Sequence, residues 1–233
     1  MGTRKQSGSP YELPHSHTRI AISRLHRCKL VGVPTDDCGL NPVALESILR
    51  GWDEAREGAS RPRVLYTIPS GSNPTGASLD LSRKRRVYEL AQEFGLLILE
   101  DDPYHWLMYE ERVPSLLSLD VDGRVLRFDS FSKLLAAGLR VGFATGPRPL
   151  IERLQLHTQA ANLHSCGLSQ ALVSALFDEW ARRHDGDSIV GFEARMSEVR
   201  SFYYAQREAF LDSADRHLTG LATWSAPTAG MFV

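Results

Sequence analysis

The chain has 233 residues, 42% apolar and 24% charged, enough for one large domain or one domain plus part of another. Its 27 Lys and Arg against 28 Asp and Glu leave a net charge of −1, so no basic surplus points to nucleic acid or an anionic membrane. Cys28, Cys38 and Cys166 are widely spaced with no C-x-x-C, which speaks against a disulfide framework or zinc site and favours a reducing compartment. No apolar run approaches the roughly 20 residues of a membrane span.

Residues 1–27 are basic, with Ser and Pro scattered among them and Glu12 as their one acid. Mitochondrial transit peptides have such a composition, but Pro10 and Pro14 interrupt any amphipathic helix, and we read the segment as a divergent, disordered leader. Residues 60–145 then alternate strand and helix, the pattern of an α/β domain. Val64 to Ile68 reads as a short strand, followed by a loop rich in Pro, Gly and Ser. Ser82 to Phe94 has Val87, Leu90, Ala91 and Phe94 at helical spacing, with Arg and Lys assigned to the other face and Gly95 as the stop. Leu96 to Leu99 is a buried strand closed by Glu100-Asp101-Asp102-Pro103. Val125 to Phe128 is the next strand, and Leu139 to Ala144 a further one. Beyond Pro149 three helices are predicted, Leu150 to Leu163, Ser169 to Arg182 and Ile189 to Leu218. In the last, Phe192, Met196, Val199, Tyr203, Phe210 and Leu211 read as packing and not as a cofactor box. At the end of the chain, a turn from Pro227 to Gly230 leads into Met231 to Val233, which reads as the start of a strand cut short.

Three polar clusters fall at predicted strand ends, where open α/β sheets present ligands. They are Gly71 to Gly76, Asp101 to Tyr104, and Ser130 to Lys133. Taken singly, each has a plain explanation as a turn, a solvated helix start or a surface lysine. Gly71 to Ser78 has the outline of a phosphate-binding loop, but Ala77 stands where that loop needs Lys. Ser130-Phe131-Ser132-Lys133 fits the S-x-x-K of serine β-lactamases, yet their S-D-N and K-T-G strings do not occur.

Taken together, the clusters resemble fold type I aminotransferases dependent on pyridoxal 5'-phosphate (PLP). The order is Asn73-Pro74-Thr75-Gly76, then Asp101 and Tyr104, then Ser130 and Lys133, then Arg140. The kynurenine/α-aminoadipate branch is closer still, through Tyr66 to Pro69, Glu100 to Tyr104, Arg112 to Pro114, Asp120 to Arg124, Asp129 to Lys133 and Gly146-Pro147. The resemblance covers residues 28 to 233. It implies an α/β fold: a partial large domain over 28–190, a mostly parallel sheet with helices on both faces, and the start of a truncated small domain over 191–233.

The resemblance also implies roles. Lys133 would form the Schiff base with PLP and later act as the base. Asp101 would pair with the pyridine nitrogen, and Tyr104 and Asn73 would hydrogen-bond the ring's phenolic oxygen. Ser130, Ser132 and Arg140 would hold the phosphate. The implied reaction transfers an amino group from an aromatic amino acid, kynurenine or 2-aminoadipate to a 2-oxo acid such as 2-oxoglutarate, in a homodimer, in the cytoplasm or mitochondria. A lyase reaction would use the same Lys, Asp and Tyr and stays open. The family places further pocket parts before residue 28 and a carboxylate-clamping arginine beyond the region covered. The chain is therefore expected to be truncated at both ends and weak or inactive alone. His105 stands where relatives carry an aromatic phenol.

Overall fold

A computed structural model describes residues 29–233; the leader reading and Cys28 lie outside them. The described chain opens with an antiparallel pair, β1 (Thr35–Asp36) and β2 (Gly39–Leu40). Helix α1 (Pro42–Arg50) starts where Asn41 Oδ1 accepts from the Val43 and Ala44 amides at 2.9 and 3.1 Å. That cap satisfies donors the first turn cannot, and Pro42 sits where its missing N–H costs nothing. A short helix, α2 (Glu54–Glu57), is capped the same way by Asp53.

Four strands form the main sheet, side by side in chain order: β3 (Val64–Thr67), β4 (Leu97–Asp101), β5 (Val125–Ser130) and β6 (Gly142–Thr145). The first three are parallel and β6 returns antiparallel to β5, so the fold is α/β with a mixed sheet. Helix α3 (Leu81–Phe94) makes the crossover from β3 to β4. Asp80 Oδ1 accepts from the Arg83 amide at 2.7 Å to start it. Gly95 ends it at φ 67, a left-handed conformation that glycine adopts without steric cost. Helices α4 (Arg148–Ala161), α5 (Gly167–Arg183) and α6 (Ser188–Leu218) follow.

Two apolar clusters hold the fold. In the first, Leu45 and Leu49 of α1 and Val87, Leu90 and Ala91 of α3 pack on Leu65, Ile98 and Val125 of the sheet. Each fully buried Leu, Ile or Val side chain contributes about 1.5–3 kcal/mol. The second lies beyond the carboxyl edge of the sheet. There Phe192, Met196 and Val199 of α6 meet Tyr104, Leu107 and Leu134. Met196 and Phe192 are thus packing residues, as the spacing suggests, whereas Phe210 is 48% exposed.

Several expectations need correction. Glu100 and Asp101 do not close β4; they belong to it. The strand placed at Leu139 begins at Gly142, because Ala137–Leu139 forms a 3-10 turn and Arg140 takes φ 52. Met231 to Val233 forms no strand; Ala229 makes an isolated bridge with Met108, while Met231 and Phe232 pack against the second cluster. Lys84 is not on the solvent face of α3 but fully buried, its Nζ donating to the Pro114 carbonyl at 2.9 Å. Three and four residues before Val87 and Tyr88, it shares their inward stripe.

Entry into β5 is set by Asp120. Its Oδ1 accepts from the Gly123 and Arg124 amides at 3.0 and 3.1 Å and from the Tyr88 hydroxyl at 2.9 Å, and its Oδ2 from the Val125 amide at 3.0 Å. Burial opposes the charge, but the Val125 and Arg124 amides and the Tyr88 hydroxyl outweigh it and hold the carboxyl below its ordinary 3.8. A depressed carboxyl gives stability that is present above the unfolded-state value and lost as pH falls through the folded one. Asp120→Ala should lower unfolding free energy at neutral pH by about 1–3 kcal/mol and flatten the acid limb below about pH 4, measured by urea denaturation across pH.

Candidate active site

The parallel strands β3, β4 and β5 send their carboxyl ends to one edge, so the loops after them are neighbours although distant in sequence. Successive side chains on β4 point to opposite faces. Glu100 and Asp102 therefore go one way, both fully buried, and Asp101 between them goes the other and is half-buried.

On the Asp101 side, the Tyr66 hydroxyl of β3 donates to Asp101 Oδ2 across the strand pair. The Asn73 side chain lies beside the Tyr104 hydroxyl and favours its ionised form. Burial first, and then the charge of Asp101, push the Tyr104 phenol up, so it stays protonated and able to donate at neutral pH. Asn73, Asp101 and Tyr104 are thus brought together. Tyr66 joins them; the sequence singled it out only within a motif string, and its position at the end of a strand was the available signal.

A second group follows β5. The Ser132 amide donates to Ser130 Oγ at 3.1 Å, and Arg140 Nη1 reaches Ser132 Oγ at 3.2 Å and the Ala137 carbonyl at 3.4 Å. Lys133 stands half-buried in the same turn. Among the described residues neither Lys133 nor Arg140 forms an ion pair with a carboxylate. The two groups rise from adjacent strands, with Asp101 opposite Phe128 in the register. A cavity of about 510 Å³ lined by Trp52, Arg61 and Phe94 lies at the amino end of the sheet, away from all of them.

Beneath the loops lies a cluster of buried charge that the sequence reading missed. Arg127 Nε and Nη2 donate to the two carboxylate oxygens of Asp129, each at 2.8 Å. Its Nη1 donates to Asp102 Oδ2 at 3.0 Å and lies 3.7 Å from Glu100 Oε1. Burial disfavours the guanidinium charge, but Asp129 and then Asp102 outweigh it and raise its pKa above the ordinary range. For Glu100, burial and the neighbouring Asp102 charge dominate and push the carboxyl up, although the Leu116 and Leu117 amides donate to it at 2.7 and 3.0 Å.

Residues 227–232 close over the first group. The Tyr109 amide donates to the Thr228 carbonyl at 2.9 Å, and the Gly230 amide to the Leu107 carbonyl at 3.0 Å. The Phe232 ring meets Tyr104 edge-on at 5.6 Å.

Residues 15–233 match the model of the family described as aminotransferase class I and II. The chain belongs to that family. It is 47% identical over 210 residues to the mitochondrial kynurenine/alpha-aminoadipate aminotransferase of Rattus norvegicus, covering 88% of this chain and 48% of that protein. Aminotransferase Aro8 from Candida albicans superposes with a TM-score of 0.83 at 31% identity, over 95% of this chain and 48% of its own. LysN, the alpha-aminoadipate aminotransferase from Thermus thermophilus complexed with N-(5'-phosphopyridoxyl)-L-leucine, gives a TM-score of 0.81 at 33% identity, over 93% and 52%. The chain spans about half the length of the curated relatives it matches. Membership of this family implies PLP as cofactor. The donor set fits such a group: a guanidinium and two serine hydroxyls, with no carboxylate paired to the guanidinium among the described residues, suit a phosphate, and a carboxylate beside a protonated phenol suits the two polar edges of a pyridine ring.

Close backbone approach seats the terminal segment. Gly71 has φ +51, and a Cβ there would stand 2.6 Å from the Ala229 carbonyl oxygen; a Cβ at Gly95, φ +67, would meet nothing within 4 Å. Gly95→Ala should cost only the left-handed strain of about 1–2 kcal/mol. Gly71→Ala should cost clearly more and open residues 225–233 to protease, measured by thermal denaturation and limited proteolysis of the two variants side by side.

Proposed function

We propose that this chain carries the cofactor-binding part of a PLP-dependent aminotransferase. The amino donor would be an aromatic amino acid, kynurenine or 2-aminoadipate, and the acceptor a 2-oxo acid such as 2-oxoglutarate. The observation that carries this reading is the convergence of Asp101, Tyr104 and Asn73 beside the turn bearing Ser132, Lys133 and Arg140, in a chain of this family. The name of the rat relative supports the donor class, and the phosphopyridoxyl ligand of LysN supports the cofactor. The rat protein's name also supports a mitochondrial location for the complete enzyme, which we take to be a homodimer. We retain the division at residue 190, which places the boundary inside α6.

When bound, PLP supplies an electron sink for a substrate carbon that has lost its proton. Lys133 would hold the cofactor, and its amine would serve as the base that moves the proton at that carbon. Asp101 would keep a proton on the ring nitrogen, its carboxylate oriented by the Tyr66 hydroxyl. Tyr104 and Asn73 would hydrogen-bond the ring's phenolic oxygen, with the Tyr104 phenol kept protonated by burial and by the Asp101 charge. Arg140, with Ser130 and Ser132, would hold the phosphate.

Borohydride reduction of the PLP-loaded chain followed by peptide mapping should place the label on Lys133, and Lys133→Ala should remove it. A label on another lysine would sink the assignment.

A further inference from the structure

The two groups of the candidate site leave the sheet on different strands, and the backbone ladder between β4 and β5 ends at Asp101 opposite Phe128. Beyond that point the loops 102–108 and 130–135 are joined among the described residues by side chains, including Tyr104, Leu107 and Leu134 of the second apolar cluster, and a polar tie would add direction to that packing. Arg127 stands where such a tie would be. Its fork grips Asp129, next to Ser130 on β5, while its third nitrogen grips Asp102, next to Asp101 on β4. The side chains of Arg127 and Asp129 are 8% and 7% exposed and that of Asp102 is 0% exposed, so water competes little for these bonds. The cluster reaches further. His105 Nδ1 lies 3.2 Å from Asp102 Oδ2, Glu100 holds the Leu116 and Leu117 amides, and Lys84 holds the Pro114 carbonyl.

We propose that Arg127 is a positioning residue: it locks the loop bearing Asp101 and Tyr104 to the loop bearing Lys133, so that both move as one unit. The relevance to catalysis rests on the function proposed above; the lock itself does not. A lysine at this position would keep the charge but could not fork Asp129 and reach Asp102 at once. Asp129→Asn keeps the size of the side chain and removes the carboxylate that holds the guanidinium in position to reach Asp102.

The experiment is hydrogen exchange of the 233-residue chain without cofactor, comparing wild type, Arg127→Lys and Asp129→Asn. Both variants should speed exchange in residues 102–108 and 130–135 together, by about tenfold or more, with α3 unchanged. Loosening confined to 130–135 in Asp129→Asn, or an equal rise throughout the chain, would overturn the proposal. If Arg127→Lys does not fold, Asp129→Asn decides alone. A second readout separates positioning from mere stability. In PLP-loaded protein, the pH midpoint of the visible cofactor band should shift in both variants relative to wild type. Loops that loosen with the midpoint unmoved would show that the tie does not act on the site. A wild type that takes up no PLP would defeat the functional reading, while exchange would still decide the lock.

Discussion

Arg127 brings a full positive charge into a region almost closed to solvent, and three carboxylates converge on it. The pair with Asp129 is bidentate, the pair with Asp102 crosses from β5 to the end of β4, and Glu100 stands just behind. Removing one member of such a group leaves a buried charge uncompensated, at a cost of about 3–5 kcal/mol. The packing of the carboxyl edge follows from this constraint. With Asp102 committed inward, the pleat turns Asp101 the other way, toward Tyr66, and the turn after Pro103 brings the Tyr104 ring into the second apolar cluster.

That apolar cluster supplies what the ionic one does not. Ile68, Tyr104 and Phe131 come from three different strand exits, Phe177 and Trp180 from α5, Phe192 and Met196 from α6, and Phe232 from the end of the described chain. Several meet as aromatic pairs, among them Trp106 with Phe192 at 4.9 Å and Phe177 with Trp180 at 5.1 Å. The long helix after the sheet therefore braces the site from outside the sheet. Residues 227–232 add backbone bonds to Leu107 and Tyr109 in the loop after β4 and pack closely on Gly71 in the loop after β3, so both loops lean on a segment more than a hundred residues away.

Much of this is legible in the sequence. The alternation from Val64 to Thr145, the stop at Gly95 and the three later helices follow from apolar period and punctuation. The polar loops at the strand ends are legible in the same way, from the turn residues that follow each apolar run. The rest was hidden for physical reasons. A Glu-Asp-Asp run gives no sign of which carboxylate turns inward until the cation across the strand is known, and Arg127 reads as an interruption of an apolar strand. Charge alone puts Lys84 on the solvent face, whereas its place in the stripe with Val87 and Ala91 puts it inside. Helix α1 carried a readable start in Asn41-Pro42 that the alternation beyond residue 60 overshadowed. The backbone bridge from Met108 to Ala229 has no local signature at all.

On the function proposed above, the pleat at Glu100-Asp101-Asp102 divides labour: Asp101 would serve the cofactor, while Asp102 holds Arg127. The most direct measurement is nuclear magnetic resonance of the chain loaded with PLP isotopically labelled at the ring nitrogen. At neutral pH that nitrogen should be protonated in wild type and in Asp102→Asn, and should lose its proton in Asp101→Asn. A ring nitrogen still protonated in Asp101→Asn, with the proton lost in Asp102→Asn, would contradict the assignment.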